Sequence, residues 1–568
     1  MNFRFNPTLR MLAVAGVIGS LAACGGGGGG SPVITPPAEV ITAAYKYQLV
    51  FVDAVTNAPI TDPLSVNFTG QSITDNEVLD SENKSVKGRT LSTNNGLLTV
   101  VANFNGSNDF FAFTGGNLAL GWNTSGTQIT KDLSKEGDQV ITVKLTNSKP
   151  AKVAALNADT DLGLAMATGT ATASATGVIA SNTVVSTAPK TVTNDQGVSE
   201  PVGTAKITIP ANTVARDANG VAASGGLTLT VTKYSNNETQ SLQAFPGGFA
   251  PTVSDPNSSY LGAGVTEASG NFITGGFAQF NVTDSTGKAI KNFDTPVTLT
   301  IDLPKSSKNP ETGVPLVAGD IYPIWSFDET TGKWAFEQNG TIREKSPVDA
   351  NNFEVVFTSK HLSYWNLDWL YWQAGANCDG RLNITGRPAG DNRALYVDIT
   401  GVAGTNYYMS ALKNQPITDS LLNLAKSPKT NVNIRIRTAD GVLRGSANNV
   451  NLCTTAAGGG ATVQVSLPTV SYASLVTTVT ESCPDGSFQR ASPTSVWLYT
   501  NNWRGGYTAT GTSTLSNIES GSAGTLWAWN RLTSQWVTRS VTVNAPTTSQ
   551  AFNFNNLQCT TGGITGAQ

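Results

Sequence analysis

The chain has 568 residues, 36 basic and 39 acidic, for a net charge of −3 with a single histidine. That near balance, without any basic run, argues against nucleic acid as a partner, and no stretch after the N-terminus has the roughly 18 consecutive apolar residues of a membrane-spanning helix. Charged residues make up 13% of the chain, about half the usual share, and Gly, Thr, Ser, Asn and Val take their place. That is the composition of strands and turns, so the expected fold class is all-β.

Met1 to Arg10 carries Arg4 and Arg10 and no acid, and Met11 to Ser20 is apolar but too short to span a bilayer. With Leu21-Ala22-Ala23-Cys24 closing it, the stretch has the anatomy of a signal peptide over residues 1–23. These four closing residues resemble the bacterial lipobox. The resemblance implies that the Cys24 thiol takes a diacylglyceryl group, that the peptide is cut before Cys24, and that the new amine is acylated. Several acyl chains such as palmitate then hold the protein to a membrane, each buried methylene contributing about 0.8 kcal/mol. Residues 24–40, with Gly25 to Gly30, Pro32 and the Pro36-Pro37 pair, read as a flexible tether. Gly25 stands where an acid would resemble the signal for inner-membrane retention, which favours the outer membrane, with either the periplasmic or the cell-surface face open to it.

Residues 41–148 read as a first β-domain, with strands at Tyr45–Val52, Leu64–Phe68, Leu97–Val101 and Gln139–Leu145. Val52-Asp-Ala-Val-Thr-Asn-Ala-Pro-Ile60 resembles the opening of carboxypeptidase-regulatory-like β-sandwiches, in which a strand ends in an Asp-containing turn and Pro-Ile starts the next. Residues 149–203 are rich in Ala, Thr, Ser and Gly and read as a linker, with an edge strand at Thr183 to Thr187. Residues 204–372 form the most legible domain. Gly226–Thr232, Phe277–Thr283 and Pro296–Pro304 alternate as half-buried strands do, and Tyr322–Phe327 and Lys333–Glu337 flank a five-residue hairpin loop ending in Gly332. The ordered series of a strand ending in Ile209-Pro210, Trp325-Ser-Phe-Asp328, Gly332-Lys-Trp334 and His361-Leu-Ser-Tyr-Trp-Asn366 resembles the extracellular β-module of cartilage intermediate layer proteins. That module is akin to the zona-occludens/netrin-receptor domain, and the resemblance implies a β-sandwich without enzymatic activity.

Residues 373–469 and 470–568 read as two copies of one β-unit. Cys378 and Cys453 lie 75 residues apart and Cys483 and Cys559 lie 76 apart, with Cys378-Asp-Gly echoed by Cys483-Pro-Asp-Gly. Four cysteines in an exported chain allow three pairings, and the spacing prefers one staple in each copy. The architecture expected from these pieces is a row of tandem β-sandwiches on a Gly/Pro-rich tether, holding its last domain away from the membrane.

Chemistry is scarce in this sequence. One histidine, His361, excludes multi-histidine zinc sites and non-haem iron triads. No nucleophile elbow, phosphate loop, dinucleotide fingerprint or calcium loop occurs, so neither a metal nor a cofactor is expected, and the chain reads as a non-enzyme. His361-Leu362-Ser363 is similar to the self-cleavage site of the autoproteolysis-inducing domain of adhesion receptors. The similarity implies His361 as base, Ser363 as nucleophile and Leu362 as the cut residue, although the cysteine framework that precedes that site is absent. The weightier reading makes His361 a hydrogen-bonded residue at a strand end. Ten of the eleven tryptophans follow residue 320. Trp527 and Trp529 share one strand face, as do Trp497 and Tyr499, and such pairs are more often core than platforms for sugar rings. Trp503, in a polar run, is the candidate glycan contact. The functional expectation is a membrane-anchored binding, adhesion or structural scaffold with a protein or polysaccharide ligand; the alternative is glycan binding through the last repeat, and the second alternative self-cleavage at Leu362-Ser363.

Overall fold

The computed structural model describes residues 45–568 except 105–108, 131–136, 194–198, 250, 310–313, 372–376, 389–390, 392, 394, 403–416, 418, 439–441, 456–457, 469–470, 501–502, 534, 558, 561–562 and 565–568. Cys24, with the expected signal peptide and tether, lies outside the described residues. The chain divides into two units, Ile41–Leu557 and Met1–Val40 with Gln558–Gln568. In the second unit Cys559–Thr560 pairs antiparallel with Gly563–Ile564. The first unit is an all-β, multi-domain fold. Its α-helices among the described residues are Gln71–Thr74, Pro150–Ala158 and Thr239–Leu242, and none of these is long and apolar enough to cross a membrane.

The first domain packs two four-stranded sheets face to face. One runs Val78–Asp80, Leu97–Ala102, Tyr45–Asp53, Gly137–Leu145; the other runs Leu91–Ser92, Ser65–Thr69, Phe110–Asn117, Trp122–Thr130. Tyr45, Tyr47, Leu49 and Phe51 alternate into the core against Phe111 and Phe113, and Tyr47–Phe111 and Phe51–Phe113 meet edge to face at 5.5 and 6.1 Å. Val50 and Val52 point to the opposite side, yet they are 0% and 3% exposed. A strand apolar on both faces is covered on both, and what covers this one decides the architecture of the whole chain.

The central domain is built on one large, strongly bent sheet. Its long strand Ala289–Pro304 pairs with Thr213–Asp217 through its first half and with Ala205–Ile209 and Asn352–His361 through its second. Gly225–Tyr234, Asn271–Asp284, Tyr364–Tyr371, Ile321–Asp328 and Lys333–Glu344 continue it, antiparallel throughout. The Ile321–Asp328 hairpin closes with Asp328 opposite Lys333 and Gly332 at φ 68°. Its residues serve two cores. Tyr322 and Ile324 join the aliphatic core with Leu229, Val231, Leu299 and Trp365; Trp325 and Phe327 join an aromatic one with Phe245, Phe272, Phe277 and Trp334.

Residues 149–203 are not a linker. Leu164–Ala173 pairs residue by residue with Gly225–Tyr234, Thr183–Ser186 is the edge strand beside Ala205–Ile209, and Leu156, Leu162 and Met166 enter the aromatic core. The central domain therefore begins near Pro150 and not at residue 204. Small residues are needed here because strands cross closely: a Cβ on Gly169 would stand 2.4 Å from the Val185 Cγ2. Gly169→Val is accordingly expected to destabilise the central domain by about 2 kcal/mol through overpacking, read as a lower urea midpoint with an unchanged slope.

The third domain sets Leu421–Pro428, Asn377–Thr385 and Ala461–Gln464 in one sheet and Leu395–Gly401, Val432–Thr438 and Leu443–Val450 in the other. In the last domain Tyr472–Ser482 pairs with Gln489–Ala491, Thr512–Glu519 and Thr547–Phe554. Opposite it lies the sheet Trp503–Thr508, Thr494–Tyr499, Ser522–Asn530, Gln535–Val543. In both, the opening strand runs parallel to a late one: Asn377–Thr385 with Ala461–Gln464, and Tyr472–Ser482 with Thr547–Phe554. Cys378 is bonded to Cys453 with their Cα atoms 5.6 Å apart, and Cys483 and Cys559 are each disulfide-bonded.

These domains do not form a row. The first meets the central one through Asn281 Nδ2 donating to Asn123 Oδ1 at 3.0 Å, Gln279 Nε2 to the Thr124 carbonyl at 3.2 Å, and Gly247 N–H to the Gly126 carbonyl at 3.0 Å. Ile273 of the central sheet enters the core of the third. The third is fixed to the last by Arg393, whose guanidinium donates to the Tyr472 hydroxyl, Asp391 and the Pro468 carbonyl at 2.9, 2.8 and 2.7 Å. The last domain then returns to cover Val50 and Val52 of the first. An extended row with a distal end is thereby corrected to a closed arrangement of four domains, because an apolar outer sheet face on each terminal sandwich is buried more favourably against the other than in water.

Candidate functional site: an aromatic seam between the terminal sandwiches

The outer sheet of the last domain separates its residues by face. Val496, Leu498, Leu526, Ala528, Val541 and Val543 point inward to an aliphatic core. Trp497, Trp527 and Trp536, with half-buried Trp529, point outward and pack on Val50, Val52 and Leu97 of the first domain. Trp497 stands directly opposite Trp527 across one strand pair, and Trp529 opposite Trp536 across the next. The Trp529 and Trp536 rings are 5.4 Å apart. At the rim, the Lys46 ammonium lies 4.7 Å above the Tyr507 ring and the Tyr499 hydroxyl donates to the Asn57 carbonyl at 3.5 Å. Among the described residues the buried indole N–H groups of Trp497 and Trp529 have no hydrogen-bond partner, which costs about 1–3 kcal/mol each. The strand-face pairing of these tryptophans could be read from spacing; the first domain lying over them could not. Trp503 opens the edge strand of this sheet, and its side chain lies outside the described residues.

The His361 tripeptide closes a strand of the central sheet. The His361 ring lies 5.0 Å from the Trp365 ring, and its Nε2 is 3.2 Å from Glu337 Oε1, which also accepts the Ser326 hydroxyl at 2.6 Å. Burial pushes the Glu337 carboxyl up, but the hydrogen bonds from His361 and Ser326 outweigh it and hold the group below its ordinary range. Ser363 is buried, and its hydroxyl donates to the Phe327 carbonyl. The Leu362 N–H donates to the Lys291 carbonyl at 3.0 Å, and the Ser363 carbonyl accepts the Phe280 N–H at 3.1 Å. His361 and Ser363 are thus each bonded to a different partner, and the peptide between them is pinned on both sides. The mature chain is expected to run as a single species of full mass; two fragments meeting at Leu362-Ser363 in a denaturing mass measurement would show the self-cleaving alternative instead.

Trp365 and Trp369 are buried in the aliphatic core, and Trp372 lies outside the described residues. Among the described residues no group of three or more His, Cys, Asp or Glu side chains is placed to hold a metal ion.

No protein-family model matches the chain, and no curated protein matches it. Solved structures similar to it include the minor pilin GBS52 of Streptococcus agalactiae, at 11% identity over 31% of this chain and 94% of that one, with a TM-score of 0.16. A streptococcal ancillary pilin matches at 10% identity over 45% and 99%, with a TM-score of 0.15. The Bacillus anthracis TIE protein matches at 10% identity over 68% and 57%, with a TM-score of 0.12. What the geometry itself defines is a multi-domain β-protein with disulfide-bonded C-terminal sandwiches and an aromatic seam that closes it.

Proposed function

We propose that this chain is an extracytoplasmic lipoprotein, tethered by acyl chains on Cys24 to the outer membrane, on its periplasmic or cell-surface face, that acts as a binding, adhesion or structural scaffold. The observation that carries this reading is the closure itself: four β-domains with intact disulfides interlock through buried apolar and polar contacts. Disulfides of this kind persist in oxidising compartments, and a closed stack of sandwiches presents outer surfaces and loops to a partner. The tripeptide Leu21-Ala22-Ala23 ahead of Cys24, and the glycine run behind it, supply the attachment.

The test is metabolic labelling with palmitate in a bacterial host that processes lipoproteins. Wild-type protein is expected to take up label and to fractionate with membranes, whereas Cys24→Ser is expected to remain unlabelled as precursor. Unlabelled wild-type protein would overturn the anchoring. A second reading is favoured by the unpartnered indole groups of Trp497 and Trp529: the tryptophan face is a sugar platform that the first domain covers. A polysaccharide pull-down lost in Trp503→Ala or Trp527→Ala, and unaffected by a change on the central domain, would favour that reading.

A further inference from the structure

A bulge in the central sheet brings together three buried polar side chains from two neighbouring strands. Asn271–Asp284 and Tyr364–Tyr371 pair antiparallel, and their register slips between Thr274 and Gly276, which stands at φ 134°. A bulge re-aims the side chain beside it. Thr274 is opposite Asp368 by register, yet its hydroxyl donates to Asn366 Oδ1 at 2.8 Å. Asn366 Nδ2 in turn donates to Asp368 Oδ2 at 2.7 Å, and the Gly276 N–H donates to Thr274 Oγ1 at 3.0 Å. Thr274, Asn366 and Asp368 are each 0% exposed. Among the described residues Asp368 Oδ1 has no hydrogen-bond partner, and the undescribed residues nearest in the chain, 372–376, carry no charge. Burial pushes the Asp368 carboxyl well above the usual range, and the bonds from Asn366 and the Ile273 N–H pull it back only in part. It therefore keeps its proton where an exposed aspartate has lost it.

An alcohol held against a carboxamide, with a carboxylic acid on the amide nitrogen and bulk water excluded, is arranged for exchange of an amide for an ester. We propose that Thr274 and Asn366 join in this way, as a covalent cross-link between the two strands, with Asp368 as the catalytic acid. Thr274 Oγ1 bonds to Asn366 Cγ, and its proton passes to Oδ1, which already accepts it. The Gly276 N–H stabilises negative charge developing on Oγ1. Asp368 gives its proton to Nδ2, the Cγ–N bond breaks with its electron pair going to nitrogen, and ammonia leaves. Oδ1 then re-forms the carbonyl and returns its proton to the Asp368 carboxylate. One ammonia is released per chain, and nothing else is consumed. Contact between the reacting groups replaces an encounter in solution, and burial keeps water from the finished ester. Tyr364–Tyr371 is the strand by which the central domain leads into the third, and Ile273, beside Thr274, enters the third domain's core. A cross-link here ties that exit strand to its neighbour, so force arriving from the third domain does not peel it away.

The test is peptide mapping of the full-length chain by mass spectrometry. Trypsin releases Tyr234–Lys288, which carries Thr274, and His361–Arg381, which carries Asn366. After reduction of disulfides, the wild-type digest is expected to contain these two peptides joined, lighter than their sum by one ammonia. Neutral hydroxylamine is expected to part them, because it cleaves esters and leaves ordinary amides intact. Thr274→Val is expected to lose the joined species and Thr274→Ser to keep it. Asp368→Asn is expected to lower its yield at least about tenfold, as loss of a general acid does. The wild-type digest decides even where a variant fails to fold. Two separate wild-type peptides of full mass, a link that resists hydroxylamine, or a link that persists in Thr274→Val would each overturn the ester. An Asp368→Asn chain linked as fully as wild type would overturn the role given to Asp368.

Discussion

Replacing Lys233 with methionine is expected to stabilise the protein at neutral pH by about 2 kcal/mol and to flatten its stability profile above pH 8. Lys233 continues the inward row of Leu227, Leu229 and Val231 and is 1% exposed. Its ammonium donates to the Tyr234 carbonyl at 3.2 Å and occupies space left by Gly276, at φ 134°, where a Cβ would stand 2.4 Å from the Lys233 Nζ. Burial pushes the amine down to about 8 from 10.5, against the pull of Asp302. A folded-state value below the unfolded one means that the folded chain sheds its proton first. Between about pH 8 and 10.5 the unfolded state therefore holds more protons, and stability rises with pH, on the order of 3 kcal/mol over that window. Below pH 8 the full burial cost is present. Methionine fills the same volume without charge, and Asp302 keeps its bonds from Lys345 at 2.6 Å and the Thr204 N–H at 2.7 Å. Denaturant melts from pH 6 to 10 check this: a variant less stable than wild type at neutral pH, with the same slope above pH 8, would show that the charge is fully compensated.

Cutting the seam is expected to have the largest effect on shape. Trp497 is 2% exposed and sits between Trp527 and the valines of the first domain. Trp497→Ala is expected to cost about 3–5 kcal/mol of the packing that holds the terminal domains together. It leaves the aliphatic core of the last sandwich untouched, since that core lies on the opposite face of the sheet. The last domain then swings on the third, to which Arg393 still binds it, and small-angle scattering is expected to show a larger radius of gyration with unchanged far-ultraviolet circular dichroism. Trp497→Phe is the discriminating control. It keeps an aromatic ring in the seam and removes an indole N–H that has no partner, so its stability is expected to stay within about 1 kcal/mol of wild type. A compact Trp497→Ala protein would mean that contacts elsewhere fix the closed arrangement.

Lys144 shows where reading residues in order fails. In Gln139-Val-Ile-Thr-Val-Lys-Leu145 the lysine falls on the face opposite Val143 and Leu145, and alternation assigns such a position to solvent. The structure buries it at 6% exposure: its in-register neighbour Val52 lies on the sheet face that the last domain, more than three hundred residues later in the chain, covers. Burial of this kind leaves no local trace.

Composition determined the all-β class, the Gly-ended loop the Ile321–Asp328 hairpin, and period-two alternation the strands around Gly226–Thr232 and Phe277–Thr283 and which tryptophans of the last domain share a face. These are short-range properties: the pleat fixes which neighbours share a side, and the turn residues fix where a strand stops. Only the tertiary structure decided that the Ala/Thr/Ser-rich segment 149–203 belongs to the central sheet, that the tryptophan face is closed by Val50, Val52 and Leu97, and that Lys144 and Lys233 lie buried. Alternation reports that a face is apolar and is silent on what covers it, since the covering surface comes from residues hundreds of positions away. A run of small residues is equally consistent with a solvated tether and with strands that must cross closely, and the contact between Gly169 and Val185 separates the two.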